Sequence, residues 1–263
     1  MKLHIFGSCA GTEPLPNAHH TSFAIEHEGE LYWFDAGETC SFTAFNMGLD
    51  LLKTKAIFIS HTHMDHVGGL PNLFWNIRKL THCPHHPTCD TMHGKTIELY
   101  QPDEKLWPTV ENLLKLTEGN FAIDFTIAPS PITDGVIYDK NGLKVTALHT
   151  HHLPHEEGTP WRAFGFRIEC EGKVIVYTGD TKGYADFAPL TEGGYDVLMH
   201  ENGHHTPAAI AEDLKERKAL PPLLIFMHNG RLVIQNPEKT LEELDGIEGL
   251  NYILARDEQT VEL

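Results

Sequence analysis

No stretch of this sequence approaches the ~20 consecutive apolar residues that a helix needs to cross a bilayer, so no helical membrane span is expected. Cysteine is scarce. The five present (Cys9, Cys40, Cys83, Cys89, Cys170) are odd in number and widely scattered, which argues for a reducing compartment rather than a disulfide framework. The opening MKLHIFGSCAGTEP has one lysine and a short apolar patch that runs into glycine and proline, without the longer apolar core of a secretory signal. It reads as a first β-strand, and the protein is expected to be cytoplasmic. Positive charge is also short: 20 Lys and Arg stand against 37 Asp and Glu, a formal net charge of −17. Nucleic-acid affinity rests largely on Lys and Arg neutralising phosphates, so extensive nucleic-acid binding is not expected.

Histidine is abundant, with 19 residues, nearly as many as the lysines and arginines together. It is the commonest metal ligand, so its positions matter. Apolar or alternating runs at 2–6, 22–26, 31–35, 56–60, 97–100, 143–148, 163–168, 173–177, 196–199, 223–227 and 251–254, most bounded by Gly, Pro, Asn or Asp, predict strands. Helical patterns fall at 67–80, 107–116, 206–218 and 237–244, the third opening with Thr206 as cap and Pro207 at the first helical position. Strands mixed with helices, without a long linker, repeat or low-complexity tract, predict one α/β domain over residues 1–263. Residues 81–94, THCPHHPTCDTMHG, break this rhythm and read as a loop insertion. Cys and His can both ligate zinc, but the spacing of Cys83 and Cys89 fits no common zinc pattern, so the favoured reading is a solvent loop with idle cysteines.

The strongest local signal is SHTHMDHVGG, residues 60–69, directly after the apolar run AIFIS. In an extended segment residues i and i+2 point the same way, so His61 and His63 can face one ion. The chain must then turn, as Gly68 and Gly69 permit, and Asp65 and His66 at the turn can face a second point nearby. Imidazole nitrogen and carboxylate oxygen both bind Zn²⁺ at about 2.0–2.2 Å. Four such groups at one strand-to-loop junction are not the pattern of ordinary core or surface histidines.

HTHMDH resembles the HxHxDH signature of the metallo-β-lactamase superfamily, and further segments are similar to the family's motifs in the family's order: FDAGE (34–38), VTALHTHH (145–152), YTGDT (177–181) and FMHNG (226–230). The resemblance implies a four-layer αββα sandwich and two divalent metal ions. By it, His61, His63 and a histidine of 149–152 hold the first metal, Asp65, His66 and His228 the second, and Asp180 bridges both. Asp35 is implied to orient a ligand histidine. In relatives the third-segment ligand sits seven residues after a valine matching Val145, which selects His152, with His151 as the alternative. Zinc is the expected metal, although Mn²⁺ and Fe²⁺ accept the same donors.

The implied reaction is hydrolysis by a metal-bridging hydroxide, held by Asp180 and steered by Asp65. The N-terminal GSCAGTEPLPNAHHTSFAI and the segment HENGHHTPAAIAEDL (200–214) are similar to the ribonuclease Z and cyclic phosphodiesterase branch. There a glutamate and an HST-like triplet precede a helix; here the triplet is His204, His205 and Thr206, which makes His204 the expected general acid. The acidic charge and the absence of a basic arm favour a small or cyclic nucleotide, or a short RNA end, over transfer-RNA. Thioester or lactone hydrolysis, on the same dinuclear site, is the competing enzyme reading, and a non-catalytic scaffold is the third. A homodimer is the oligomer to test for, symmetric dimers being the commonest. Replacing Cys83 and Cys89 together by serine is expected to leave metal content and turnover nearly unchanged. Loss of metal from that double variant, measured by elemental analysis, would make the 81–94 loop a ligand site after all.

Overall fold

The computed structural model describes residues 1–263, the whole chain. Fourteen strands form: β1 (Lys2–Gly7), β2 (Ser22–His27), β3 (Glu30–Phe34), β4 (Thr54–Phe58), β5 (Thr96–Gln101), β6 (Thr126–Pro131), β7 (Gly135–Lys140), β8 (Leu143–His149), β9 (Phe164–Cys170), β10 (Lys173–Tyr177), β11 (Val197–Asn202), β12 (Leu223–Asn229), β13 (Tyr252–Leu254) and β14 (Gln259–Glu262). Eight α-helices accompany them: α1 (Cys40–Asn46), α2 (Met64–Val67), α3 (Leu70–Thr81), α4 (Leu106–Glu118), α5 (Tyr184–Phe187), α6 (Pro207–Glu216), α7 (Arg231–Gln235) and α8 (Pro237–Asp245). None is long and apolar enough to cross a membrane. The chain divides into two compact units, one of Met1–Gly7, His19–Ile132 and Glu258–Leu263, the other of Ser8–Ala18 and Thr133–Asp257.

The first unit carries a seven-stranded sheet in the order β14-β1-β2-β3-β4-β5-β6. Pairs from β14 to β3 are antiparallel and pairs from β3 to β6 parallel. The β2–β3 hairpin turns on Glu28 and Gly29, both at positive φ, the twist that a two-residue turn between strands requires. Parallel pairing needs crossovers, and the helices α1, α3 and α4 supply them. In α3 the buried residues Leu70, Leu73, Phe74 and Ile77 recur every three or four positions, so one face meets Trp33, Ile57 and Leu99 of the sheet. On the sheet's other face Phe23, Phe34, Phe58 and Tyr100 pair in register across β2 to β5 and stack with centroids 5.1, 4.9 and 4.9 Å apart. Both faces being buried is why the central strands read as continuous apolar runs.

The second unit repeats the scheme: β13-β12-β11-β10-β9-β8-β7, with β7 to β10 antiparallel and β10 to β13 parallel. Its hairpins turn on Asn141-Gly142 and Glu171-Gly172, again at positive φ. Helix α6 starts where its cap predicts, with the Thr206 side chain accepting from Ala209 N at 3.3 Å and Pro207 at the first position. Ile210, Ala211 and Leu214 of that helix pack on Val176, Leu198, Leu224 and Phe226.

The strands β6, β7 and β14, which the sequence patterns do not predict, are all edge strands. β6 contains two prolines, tolerable only where a ladder donor is dispensable, and β14 is mostly polar. The 81–94 segment holds one 3₁₀ turn, Cys89–Met92, and is pinned by the Thr88 hydroxyl donating to Asp50 Oδ2 at 2.7 Å. In the first unit the turn that follows α2 has no spare room: a Cβ on Gly69 would lie 2.1 Å from Gly37 O and 2.9 Å from Cys40 Sγ. Gly69→Ala is therefore expected to lower stability by about 1–3 kcal/mol, read as a fall in the urea midpoint. An unchanged midpoint would mean that this turn relaxes without cost.

Candidate metal centre

Open sheets with parallel strands gather their chemistry at strand carboxyl ends, and each unit does so. In the first, the chain leaves β4 through Ile59 and Ser60 to His61, then His63 precedes the single turn of α2, which carries Asp65 and His66. His61, Asp65 and His66 are buried, whereas His63 is exposed. The His61 ring lies 4.6 Å from that of His63 and 4.1 Å from that of His66, centroid to centroid.

Asp35, at the end of β3, organises this half. Its backbone is held at φ 57, and its carboxylate accepts from Ser60 N at 2.7 Å, Ser60 Oγ at 2.8 Å and His66 Nδ1 at 2.8 Å. With Nδ1–H donated to Asp35, the lone pair of His66 is on Nε2, which lies 3.4 Å from Asp65 Oδ2.

In the second unit His152 follows β8, Asp180 follows β10, His228 ends the regular part of β12 at φ 52, and Glu201 and His204 lie on and just beyond β11. Asp180 stands between two imidazoles and meets each with a different oxygen: His152 Nε2 is 3.5 Å from Oδ2, and His228 Nε2 is 3.4 Å from Oδ1. Asp180, His204 and His228 each offer a ligand atom within 4.8 Å of the others. His204 Nδ1 is 3.0 Å from Glu201 Oε1, and its backbone N–H donates to Oε2 at 3.2 Å. Burial pushes the Glu201 carboxyl up, but the hydrogen bond from His204 and the approach of His228 outweigh it and hold it below the usual carboxylate range. The same hydrogen bond raises His204, whose side chain is half exposed.

These spacings fit a divalent ion. Two donors, each about 2.0–2.1 Å from a tetrahedral ion, lie roughly 3.4 Å apart, whereas an N–H···O hydrogen bond between the same atoms closes to about 2.7–3.2 Å. His66 with Asp65 (3.4 Å), His228 with Asp180 (3.4 Å) and His152 with Asp180 (3.5 Å) all have the longer separation.

Of the residues singled out in the sequence, the first unit brings together His61, His63, Asp65 and His66, and the second His152, Asp180, His204 and His228. His151, the alternative to His152, turns away to Asp186, with Nδ1 2.6 Å from Oδ1 and a side chain 58% exposed. His149 turns to Asp134 at 2.7 Å and stacks on Trp161. Asp186 and Asp134 are partners that no motif points to, whereas Glu201 is the glutamate ahead of the His204 triplet, three residues before it.

Solved structures place the fold. Human tRNase Z, short form, superposes with a TM-score of 0.71 at 20% identity, covering 100% of this chain and 99% of that one. The metallo-β-lactamase fold protein YhfI from Bacillus subtilis gives 0.69 at 18% identity, covering 99% of each. The expected metallo-β-lactamase fold is therefore the one this protein has. Residues 1–224 match the family profile described as anti-Pycsar protein Apyc1, and the chain belongs to that family. Its sequence relatives include ribonucleases Z: that of Methanococcus aeolicus is 33% identical over 249 residues, covering 76% of this chain and 72% of the relative. A 65-residue match to the Treponema pallidum enzyme is 51% identical but spans 25% of this chain and 21% of that protein.

A Cβ on Gly203 would lie 2.5 Å from His228 Nδ1 and 2.7 Å from its Cε1, atoms at the far end of a rotatable side chain. Gly203→Ala is expected to tilt the His228 ring away from Asp180 and to lower bound zinc while the melting temperature of the metal-free protein holds. Full zinc content in that variant would show that the ring has another way to reach its place.

Proposed function

We propose that this protein is a dinuclear metal-dependent hydrolase of small phosphodiesters, with a nucleotide or cyclic nucleotide as the substrate class. The observation that carries the reading is the Asp180 carboxylate, which presents Oδ2 to His152 and Oδ1 to His228 at the spacing that donors around a divalent ion would have. By the family resemblance His61, His63 and His152 would hold a first ion and Asp65, His66 and His228 a second, with Asp180 serving both. Zinc suits these nitrogen and oxygen donors, as do Mn²⁺ and Fe²⁺. Two such ions, when bound, lower the pKa of water held between them and polarise the substrate oxygen.

The protein's own groups have distinct tasks in this reading. Asp35 fixes the tautomer of His66, so that Nε2 is the donor. Asp65, buried beside His66, accepts the proton of the attacking water and aims its lone pair. His204 gives a proton to the leaving oxygen: Glu201 takes its Nδ1 and leaves the remaining nitrogen for the substrate. Relatives named ribonuclease Z, and a fold neighbour named a diphosphatase, favour phosphorus over carbonyl chemistry. The net charge of −17 favours a small substrate over a long RNA. The five free, scattered cysteines suit a reducing compartment such as the cytoplasm.

Zinc- and manganese-loaded protein, assayed side by side on bis(p-nitrophenyl) phosphate and on a p-nitrophenyl ester or simple lactone, is expected to prefer the phosphodiester. Preference for the carbonyl substrate would move the protein to thioester or lactone hydrolysis. His204→Ala is expected to slow a phosphodiester with a poor leaving group more than one with a good leaving group; equal losses would remove its role as proton donor.

A further inference from the structure

The side chains of His152 and Asp180 must lie 3.5 Å apart to share an ion, yet they follow strands that do not pair. β9 stands between β8 and β10, so their ends are roughly 9–10 Å apart at the usual strand spacing. No ladder hydrogen bond sets the spacing of this ligand pair, and the two turns must lean toward each other and be held there.

Asp186 is the group between them. It lies on the single turn of α5, buried, and its carboxylate gathers donors from both turns. From the His152 side it accepts His151 Nδ1–H at 2.6 Å on Oδ1 and His151 N–H at 3.2 Å on Oδ2. From the Asp180 side, Oδ2 accepts Lys182 N–H at 2.9 Å and the Thr181 hydroxyl at 3.1 Å. Burial alone would raise the Asp186 carboxyl, but these donors outweigh it and hold the group below its ordinary value, so it is a full anion near neutral pH. A second tie runs parallel, the Thr150 hydroxyl donating to Asp180 O at 2.8 Å.

The device recurs two residues earlier in the same segment. Asp134 accepts both the backbone N–H and the ring Nδ1–H of His149, each at 2.7 Å. His149, His151 and His152 are thus not three rival ligands. Two of them are clamped by carboxylates through backbone and ring together, which fixes the direction of the segment that carries the third. His151 is more than half exposed, so apolar burial does not order it; the carboxylate does.

We propose that Asp186 is a positioning residue for the metal centre: it sets the His152–Asp180 spacing by holding the His151 and Thr181–Lys182 turns together. This rests on the reading of His152 and Asp180 as ligands. Asp186→Ala removes all four acceptor contacts and is expected to weaken zinc binding about 10–100-fold, the usual cost of losing a partner behind the ligands. Asp186→Asn keeps one oxygen for Lys182 and Thr181 and can donate its amide to His151 in the other ring tautomer, so it recovers part of that loss. His151→Ala, which leaves the Asp180 side intact, is expected to fall between wild type and Asp186→Ala.

The experiment is zinc titration of chelator-stripped protein against a competing chelator, with the melting temperature of each metal-free variant measured alongside. Weakened zinc binding in Asp186→Asn, with a metal-free melting temperature within a degree or two of wild type, supports the proposal. Wild-type zinc affinity in both Asp186 variants overturns it, and so does a loss of zinc that only tracks a fall in metal-free melting temperature. Asp180→Ala separates the two readings. If it binds zinc as wild type does, the metal-centre reading and the proposal fall together; if it loses zinc while the Asp186 variants do not, only the proposal falls.

Discussion

Inside the first unit a carboxylate and an imidazole, both fully shielded from water, meet at 2.8 Å: Asp35 Oδ2 and His66 Nδ1. A carboxylate buried alone would cost several kcal/mol, so its whole setting has to be built around it. The backbone of Ser60 turns its N–H inward, the Ser60 hydroxyl follows, and Asp35 itself takes a positive φ that a side chain rarely adopts. Neighbouring backbone bonds lock the same corner, with Ala36 N–H donating to His66 O at 2.7 Å and Gly69 N–H to Ala36 O at 2.8 Å. The tight approach of Gly69 to Gly37 belongs to this arrangement. Parallel pairing of β3 with β4 makes it possible, because it delivers residues 35 and 60 to the same end of the sheet.

The second unit solves a like problem from a sheet with the same sequence of antiparallel and parallel pairs. Its β10 occupies the position that β3 has in the first sheet, and Asp180 follows β10 much as Asp35 follows β3. The two aspartates have different surroundings. Asp35 is closed in by donors at hydrogen-bond distance, whereas the imidazoles of His152 and His228 stay 3.5 and 3.4 Å from Asp180. The same topological place thus carries a positioning carboxylate in one unit and a ligand-spaced one in the other.

What the sequence disclosed follows from how local each feature is. HTHMDH is legible because one strand end and one helical turn supply four donors within six residues. The central strands are legible because burial on both faces leaves them apolar throughout. Edge strands such as β7, with only Tyr138 fully buried, leave no such mark, and Thr39 ahead of α1 makes no side-chain cap. Asp134 and Asp186 are hidden for a different reason: Asp134 sits in a Thr-Asp-Gly turn, where aspartate is ordinary, Asp186 on a single helical turn without a motif, and their partners lie 15 and 35 residues away. The choice between His151 and His152 was open in sequence because it depends on those two carboxylates, which no spacing rule connects to the histidine run.

Distance separates two kinds of carboxylate in this protein, and His66 shows both on one ring. Its Nδ1 is 2.8 Å from Asp35, a hydrogen bond; its Nε2 is 3.4 Å from Asp65, beyond hydrogen-bond distance and at the spacing two donors have around one ion. The first contact decides which nitrogen keeps the lone pair, and the second gives that lone pair a neighbour of matching chemistry. His151 and His149 have contacts only of the first kind among those described for their Nδ1 atoms, at 2.6 and 2.7 Å, and so serve as struts. His152 and His228 meet Asp180 by the second kind. A carboxylate at Nδ1 orients His66 and His204 as it orients His149 and His151, and what separates His66 from the struts is the second carboxylate, 3.4 Å from its Nε2. The surplus of acid over base, which reads in the sequence as a bar to nucleic acid, has in the folded protein a second meaning: part of it is the set of anions that aims the imidazoles.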